Sequence, residues 1–160
     1  MLTRSSEYAI RALTYMGTQR GRGWMLSRKI AEELDMPPPF LAKVLQTLSG
    51  IGVLESQRGR GGGFRLRRDP ATLTLLEIVE PFDHLEQRRL CVLGQKLCSD
   101  DTACPLHHTW KGVLNAFLKA LRETTLADVE RMGIPGGFPW NPKGPLPSTS
   151  ELVGSGPDRA

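Results

Sequence analysis

The run Pro38-Pro-Phe-Leu-Ala-Lys-Val-Leu-Gln-Thr-Leu-Ser49 leads, through Val53-Leu-Glu-Ser-Gln-Arg58, into Gly59-Arg-Gly-Gly-Gly63 and Phe64-Arg-Leu-Arg-Arg68. In its first part Leu41, Val44, Leu45 and Leu48 recur at i, i+3, i+4 and i+7, the spacing of one helix face. Ala42, Lys43, Gln46 and Thr47 fall on the opposite face. Pro38 or Pro39 suits the first turn, where a missing N–H does no harm. The later parts alternate on either side of a glycine turn, which predicts a β-hairpin. Its arms carry Arg58, Arg60, Arg65, Arg67 and Arg68 with no acid between them, and glycine lets a turn backbone approach a phosphate chain closely.

Upstream, Tyr8, Ala9, Ala12, Leu13 and Met16 keep helical spacing until the glycines at 17, 21 and 23 end the segment. Ser27 is a candidate N-cap for a second helix over 28–34, whose apolar positions are Ile30, Ala31 and Leu34. Residues 35–37 then make a tight connection. Two short helices so joined match a helix-turn-helix, with 38–49 as recognition helix, and a hairpin directly after it is the wing of a winged helix. Downstream, 69–82 reads as a fourth helix through Leu73, Leu76, Ile78 and Val79. After a cysteine-containing segment, Leu106, Trp110, Val113, Leu114, Phe117 and Leu121 define an amphipathic helix over about 105–122, with Pro105 at its first position. Gly112 within it permits close approach of a partner helix. So long an apolar stripe beyond so small a domain predicts pairing of two copies, which matches a palindromic DNA site; the alternative is packing within its own chain.

The expected fold is therefore mainly α with a small β-hairpin wing: a winged helix-turn-helix plus a long dimerisation helix. The expected divisions are 1–82 for DNA binding, 83–104 for the cysteine loop, 105–132 for the dimerisation helix and 133–160 for a tail. The tail holds six Gly and six Pro, and its isolated apolar residues form no core stripe, so disorder is expected. Phe138 and Trp140 leave open a short partner-binding role.

The chain has 160 residues, with 21 Lys and Arg against 17 Asp and Glu. Residues 1–68 hold twelve of the bases and five of the acids, a net charge of +7, whereas 69–160 carry −3. That division suggests that the first half meets a polyanion, against the plainer reading of a solvated basic face. No stretch approaches the roughly 18 apolar residues of a membrane span, and no signal-peptide core stands near the start, so a cytoplasmic chain without membrane contact is expected. Three cysteines there form no paired disulfide framework. The glycines of 59–63 lack the Gly-Lys-Ser/Thr of a phosphate-binding loop and the G-x-G-x-x-G that opens a helix, which argues against a nucleotide enzyme.

Six features taken together, in order and spacing, resemble the Rrf2 family of bacterial winged-helix regulators over residues 1–132. They are Leu2-Thr-Arg-Ser-Ser-Glu-Tyr-Ala-Ile-Arg-Ala-Leu13, Ile30-Ala-Glu-Glu-Leu34 with Phe40-Leu-Ala-Lys-Val-Leu-Gln-Thr-Leu48, Arg58-Gly-Arg-Gly-Gly-Gly-Phe64, Asp69-Pro70 before Leu73-Thr-Leu75, the three cysteines, and Thr125-Leu-Ala-Asp128. The resemblance implies a homodimeric repressor or activator of transcription that binds double-stranded DNA. It also implies an iron–sulfur cluster, of two or four irons, held by Cys91, Cys98 and Cys104.

Those cysteines are separated by six and five residues, wider than the close pairs of most zinc sites, while iron–sulfur clusters accept thiolates from longer loops and sometimes one other ligand. The resemblance offers two fourth ligands: Glu7, where NsrR-type members use an acid from the other subunit, and His107, where IscR-type members place a histidine. Glu7 is preferred. Otherwise Glu7 is a surface acid paired with Arg4 or Arg11, and His107 is a surface residue or helix cap. Family DNA contacts map to Pro39, Ala42, Lys43, Arg58 and Arg60, with Arg65 joining them on the wing. Lys43 reads a guanine edge or binds phosphate, and the wing arginines enter the minor groove or bind phosphate. Well-described members carry polar residues where this chain has Pro39 and Ala42, and the gap from Cys91 to Cys98 is one residue longer than in IscR-type members. Three other readings stay open: the same dimer with a thiol switch or zinc site, a winged-fold interaction module that binds no DNA, and a thiol enzyme built on Cys104 near two histidines, which lacks a C-x-x-C.

Overall fold

The computed structural model describes residues 2–86, 93 and 99–132. The tail at 133–160 and two of the three cysteines, Cys91 and Cys98, lie outside them. Helix α1 (Arg4–Thr18) is followed by α2 (Ser27–Glu33) and α3 (Pro38–Gly50). Strands β1 (Leu54–Gln57) and β2 (Gly63–Leu66) then form an antiparallel hairpin in which Leu54 faces Leu66 and Gln57 faces Gly63. Helices α4 (Leu75–Asp83), α5 (His107–Glu123) and α6 (Leu126–Met132) complete the order, with a short 3-10 turn at Asp100–Thr102 ahead of α5.

The periodicities act as expected in the first half. Tyr8, Ala9, Ala12, Leu13 and Met16 of α1 are buried against Ile30, Ala31, Leu41, Val44, Leu45 and Leu48 of α2 and α3. Burying each leucine contributes about 1.5–3 kcal/mol. Their burial turns Lys43, Gln46 and Thr47 outward. Tyr8 and Phe40 meet edge to face at 5.4 Å, which pins the start of α3 on α1. The wing is tied back to the helices by Met25, whose N–H and C=O bond Phe64 at 2.9 and 2.8 Å.

Three boundaries differ from the sequence reading. Ser27 is the first helical residue of α2, not its cap: Leu26 holds the N-cap position and supplies no side-chain bond. The fourth helix begins at Leu75 instead of 69. Asp69 folds a turn, accepting the Ala71 N–H on its own carboxylate, and Thr74 starts the helix in a reciprocal cap with Glu77. The amphipathic helix read over about 105–122 is α5, and the division at 105–132 assigned to it also holds the separate helix α6. Pro105 lies in the turn before α5, and Thr124 is extended, so that Thr125 bridges Thr74 and exchanges capping bonds with Asp128 at the start of α6. Leu126 is fully buried, and with Leu118 and Leu121 it joins the same core as α1 and α4. Residues 1–82 therefore share their core with the C-terminal helices.

The Thr74 cap yields a testable expectation. Burial alone raises the Glu77 carboxyl, but hydrogen bonds from the Thr74 N–H and hydroxyl and the nearby Arg68 outweigh it and hold the group below its ordinary value. Such a group contributes stability above its unfolded titration range, lost as pH falls through the lowered folded value. Thr74→Ala is expected to destabilise by about 1 kcal/mol at neutral pH, with the difference shrinking at acid pH. Urea titrations at both pH values check this; an equal loss at both would reject the charge-assisted cap.

Candidate functional site

The exposed face of α3 and the wing form the first part of the site. Pro39 and Lys43 are exposed on α3 and Ala42 is half-buried. Lys43 is the cation of that face, held there because its neighbours Val44 and Leu45 are in the core. Arg58 and Arg60 are exposed in the wing turn and, among the described residues, carry no ion pair. Gly59 and Gly61 next to them adopt φ of +93° and +81°, a region that glycine enters without strain.

Arg65 is differently employed. Its guanidinium bonds Glu55 across the hairpin at 2.6 Å and lies 4.6 Å over the Trp24 ring, which fixes the wing to the loop after α1. Arg68 likewise pairs with Glu77 at 3.2 Å. Of the five arginines, Arg58 and Arg60 are thus the ones presented at the turn, while Arg65 and Arg68 brace the wing. Sequence reasoning misses Glu55 and Trp24. A hairpin folded symmetrically about residue 60 pairs Glu55 with Arg65, and that is the signal that could have found the acid.

The second part surrounds Cys104. Its thiol is free and half-buried, and its carbonyl accepts the His107 N–H at 2.9 Å, so the two stand at the entry to α5. His107 is only 3% exposed, unlike the surface residue or cap that its place at a helix start suggests. Its Nε2 lies 2.8 Å from Asp100, to which Lys111 also donates at 3.1 Å. The hydrogen bond to His107, then those from Lys111, lower the Asp100 carboxyl below its ordinary value. Glu7 is half-buried on α1, within the electrostatic reach of Arg11, whose guanidinium donates to the Leu34 carbonyl at 3.0 Å. Burial lowers the Arg11 pKa, against the attraction of Tyr8, Glu7 and Asp35. Among the described residues no three His, Cys, Asp or Glu side chains gather into a metal site.

The third part is the outer face of α5. His107 is buried at its start, and Leu118 and Leu121 pack inward towards its C-terminal end. Leu106 and Val113 of the stripe read from the sequence are exposed, while Trp110, Leu114 and Phe117 are half-buried, the last two against the core. Among the described residues no helix is long and apolar enough to cross a membrane.

The sequence profile of the Rrf2 family, described as an iron-dependent transcriptional regulator, matches residues 2–131. The chain is 32% identical to the HTH-type transcriptional regulator NsrR of Bacillus subtilis over 129 residues, covering 80% of this chain and 88% of that protein. Two solved structures share its fold. CymR, the global cysteine regulator of B. subtilis, has a TM-score of 0.68 at 19% identity, covering 82% of this chain and 97% of that one. T. potens IscR has a TM-score of 0.67 at 20% identity, with coverages of 86% and 91%.

Proposed function

Because the chain belongs to the Rrf2 family of transcriptional regulators, a family of regulators and not of enzymes, we propose that it is a homodimeric, cytoplasmic DNA-binding regulator whose operator affinity is gated by an iron–sulfur cluster. The observation that carries the DNA reading is the outward face of α3, with Pro39, Ala42 and Lys43, followed by a wing turn that presents Arg58 and Arg60. Lys43 meets the major groove and the wing turn meets flanking phosphates or the minor groove. The exposed Leu106 and Val113 on the apolar stripe of α5 support pairing with a second copy, whose recognition helix then reads the other half of a palindromic operator.

The donor set fits a cluster. Cys104 offers a free thiol, Cys91 and Cys98 supply two more, and Glu7 is the proposed fourth ligand, with His107 the alternative. His107 fits that alternative because Asp100 orients its ring, as carboxylates commonly do for ligating imidazoles. A bound cluster would supply a centre sensitive to oxidants, nitric oxide or iron supply. Glu7 lies on the helix that packs against α3, so a constraint on its carboxylate biases the setting of the recognition helix.

Anaerobic purification followed by assay of iron and acid-labile sulfide should give near-equal amounts of both. Glu7→Gln should then change the visible spectrum while His107→Ala leaves it alone, and the reverse pattern would move the ligand to His107. Loaded and unloaded protein should bind operator DNA with different affinity at one salt concentration; equal affinity rejects gating. The free thiol of Cys104 favours a second reading, the same dimer with a thiol switch or zinc site, which iron-free protein that resists reconstitution would support.

A further inference from the structure

The wing turn has a double. Gln-Arg-Gly-Arg-Gly occurs at residues 57–61 and again at 19–23, in the loop after α1. The glycines of the two copies share a left-handed φ: +94° at Gly21 and +93° at Gly59, then +76° at Gly23 and +81° at Gly61. Four positive-φ glycines in matching places make both copies tight turns that hold their arginines out on short, stiff supports. The 19–23 turn runs through Trp24 into Met25, the residue bonded to β2, so it is anchored to the same small sheet as the wing.

The copies also share a cleft of about 390 Å³, lined by Arg22, Trp24 and Lys29 together with Gly61 and Gly62 of the wing, and by Glu33 as its acid. Arg22 and Lys29 are exposed and, among the described residues, have no ion pair, whereas Arg20 is drawn towards Glu130 at 3.8 Å. Arg65 stacked on Trp24 stiffens this region. Two unneutralised cations beside a glycine backbone that admits close approach suit the phosphodiester of a nucleic-acid strand.

We propose that residues 19–23 form a second arginine arm, in which Arg22 with Lys29 holds a backbone phosphate of double-stranded DNA in the cleft shared with the wing turn. This rests on the DNA-binding reading above and extends it from one basic turn to two. The interaction is with phosphate alone, so it adds affinity and positioning without sequence preference.

Binding of the full chain to a random-sequence duplex of about three helical turns, followed by fluorescence anisotropy across a salt series, tests the arm. Every phosphate that the protein ceases to neutralise lowers the slope of log affinity against log salt by about 0.9. Arg22→Gln combined with Lys29→Gln is expected to reduce the slope by about one unit per bound subunit, with little difference from wild type near 1 M salt. Arg60→Gln, in the wing turn, should reduce it independently. An unchanged slope in the double variant, with a reduced one in Arg60→Gln, overturns the second arm and leaves the DNA-binding reading standing. Wild-type protein without salt-dependent binding overturns both.

Discussion

Gly63→Ala is expected to destabilise the protein by about 3 kcal/mol and to weaken DNA binding while most of the helical signal persists. Gly63 opens β2 at φ +145°, a conformation that side-chain-bearing residues rarely adopt. A Cβ there would stand 2.3 Å from the Met25 carbonyl oxygen and 3.0 Å from the Leu26 nitrogen, both backbone atoms that cannot swing aside. Relief requires pushing the Met25 segment off β2, with loss of the pair of Met25–Phe64 hydrogen bonds. Backbone strain of about 1–3 kcal/mol and about 1 kcal/mol for each bond combine to the stated loss. The helical core of α1 and α3 does not depend on that bridge, so the damage falls on the wing that presents Arg58 and Arg60. Urea titration followed by far-ultraviolet dichroism checks the stability, and anisotropy with a DNA duplex checks the binding. A change within about 0.5 kcal/mol would show that the wing does not need this glycine.

Asp83→Ala should cost a similar amount, about 3 kcal/mol, through a different cause. Asp83 ends α4 and is 3% exposed, with its carboxylate accepting the Ser6 hydroxyl at 2.6 Å and the Thr3 N–H at 3.1 and 3.2 Å. Thr3 caps α1 and Ser6 lies in its first turn, fully buried. Removing the carboxylate leaves buried donors without their strong acceptor. Asp83→Asn, which keeps the shape and one acceptor oxygen, should lose less. Equal stability of the alanine variant and wild type would mean that water replaces the carboxylate without cost. The position gives this pair a functional side. Asp83 directly precedes the segment that bears Cys91 and Cys98, and it grips the helix that bears Glu7, so on the cluster reading Asp83→Ala should also narrow the affinity difference between loaded and unloaded protein.

The residues legible in the sequence are those whose structure follows from local pattern. The faces of α1 and α3, the glycine-centred hairpin and the outward Lys43 all follow from periodicities within about a dozen residues. The apolar stripe of α5 is legible for the same reason: a helix shows its apolar face in its spacing whether or not its own chain covers it. The separate helix α6 is not, although Thr125 and Asp128 form the capping pair that starts it. It is placed by the bridge from Thr125 to Thr74, fifty residues away, and by the burial of Leu126, neither of which local spacing reveals. The start of α4 is hidden similarly, because Leu73 is buried ahead of the helix, where its carbonyl accepts the Leu126 N–H.

Spacing along the chain therefore suffices for the winged helix-turn-helix, the outward basic residues of α3 and the wing, and the apolar face of the long helix, since it sets which side chains share a side of an element. Which charges are spent inside the protein and which stay available follows instead from the packing of elements against one another. Arg65 is held by Glu55 and Trp24, Arg20 leans to Glu130, His107 is buried beside Asp100, and Asp83 clasps the start of α1. Each of these pairings is set by how elements pack, because a charged group settles on the partner that burial brings within reach, however far along the chain that partner stands.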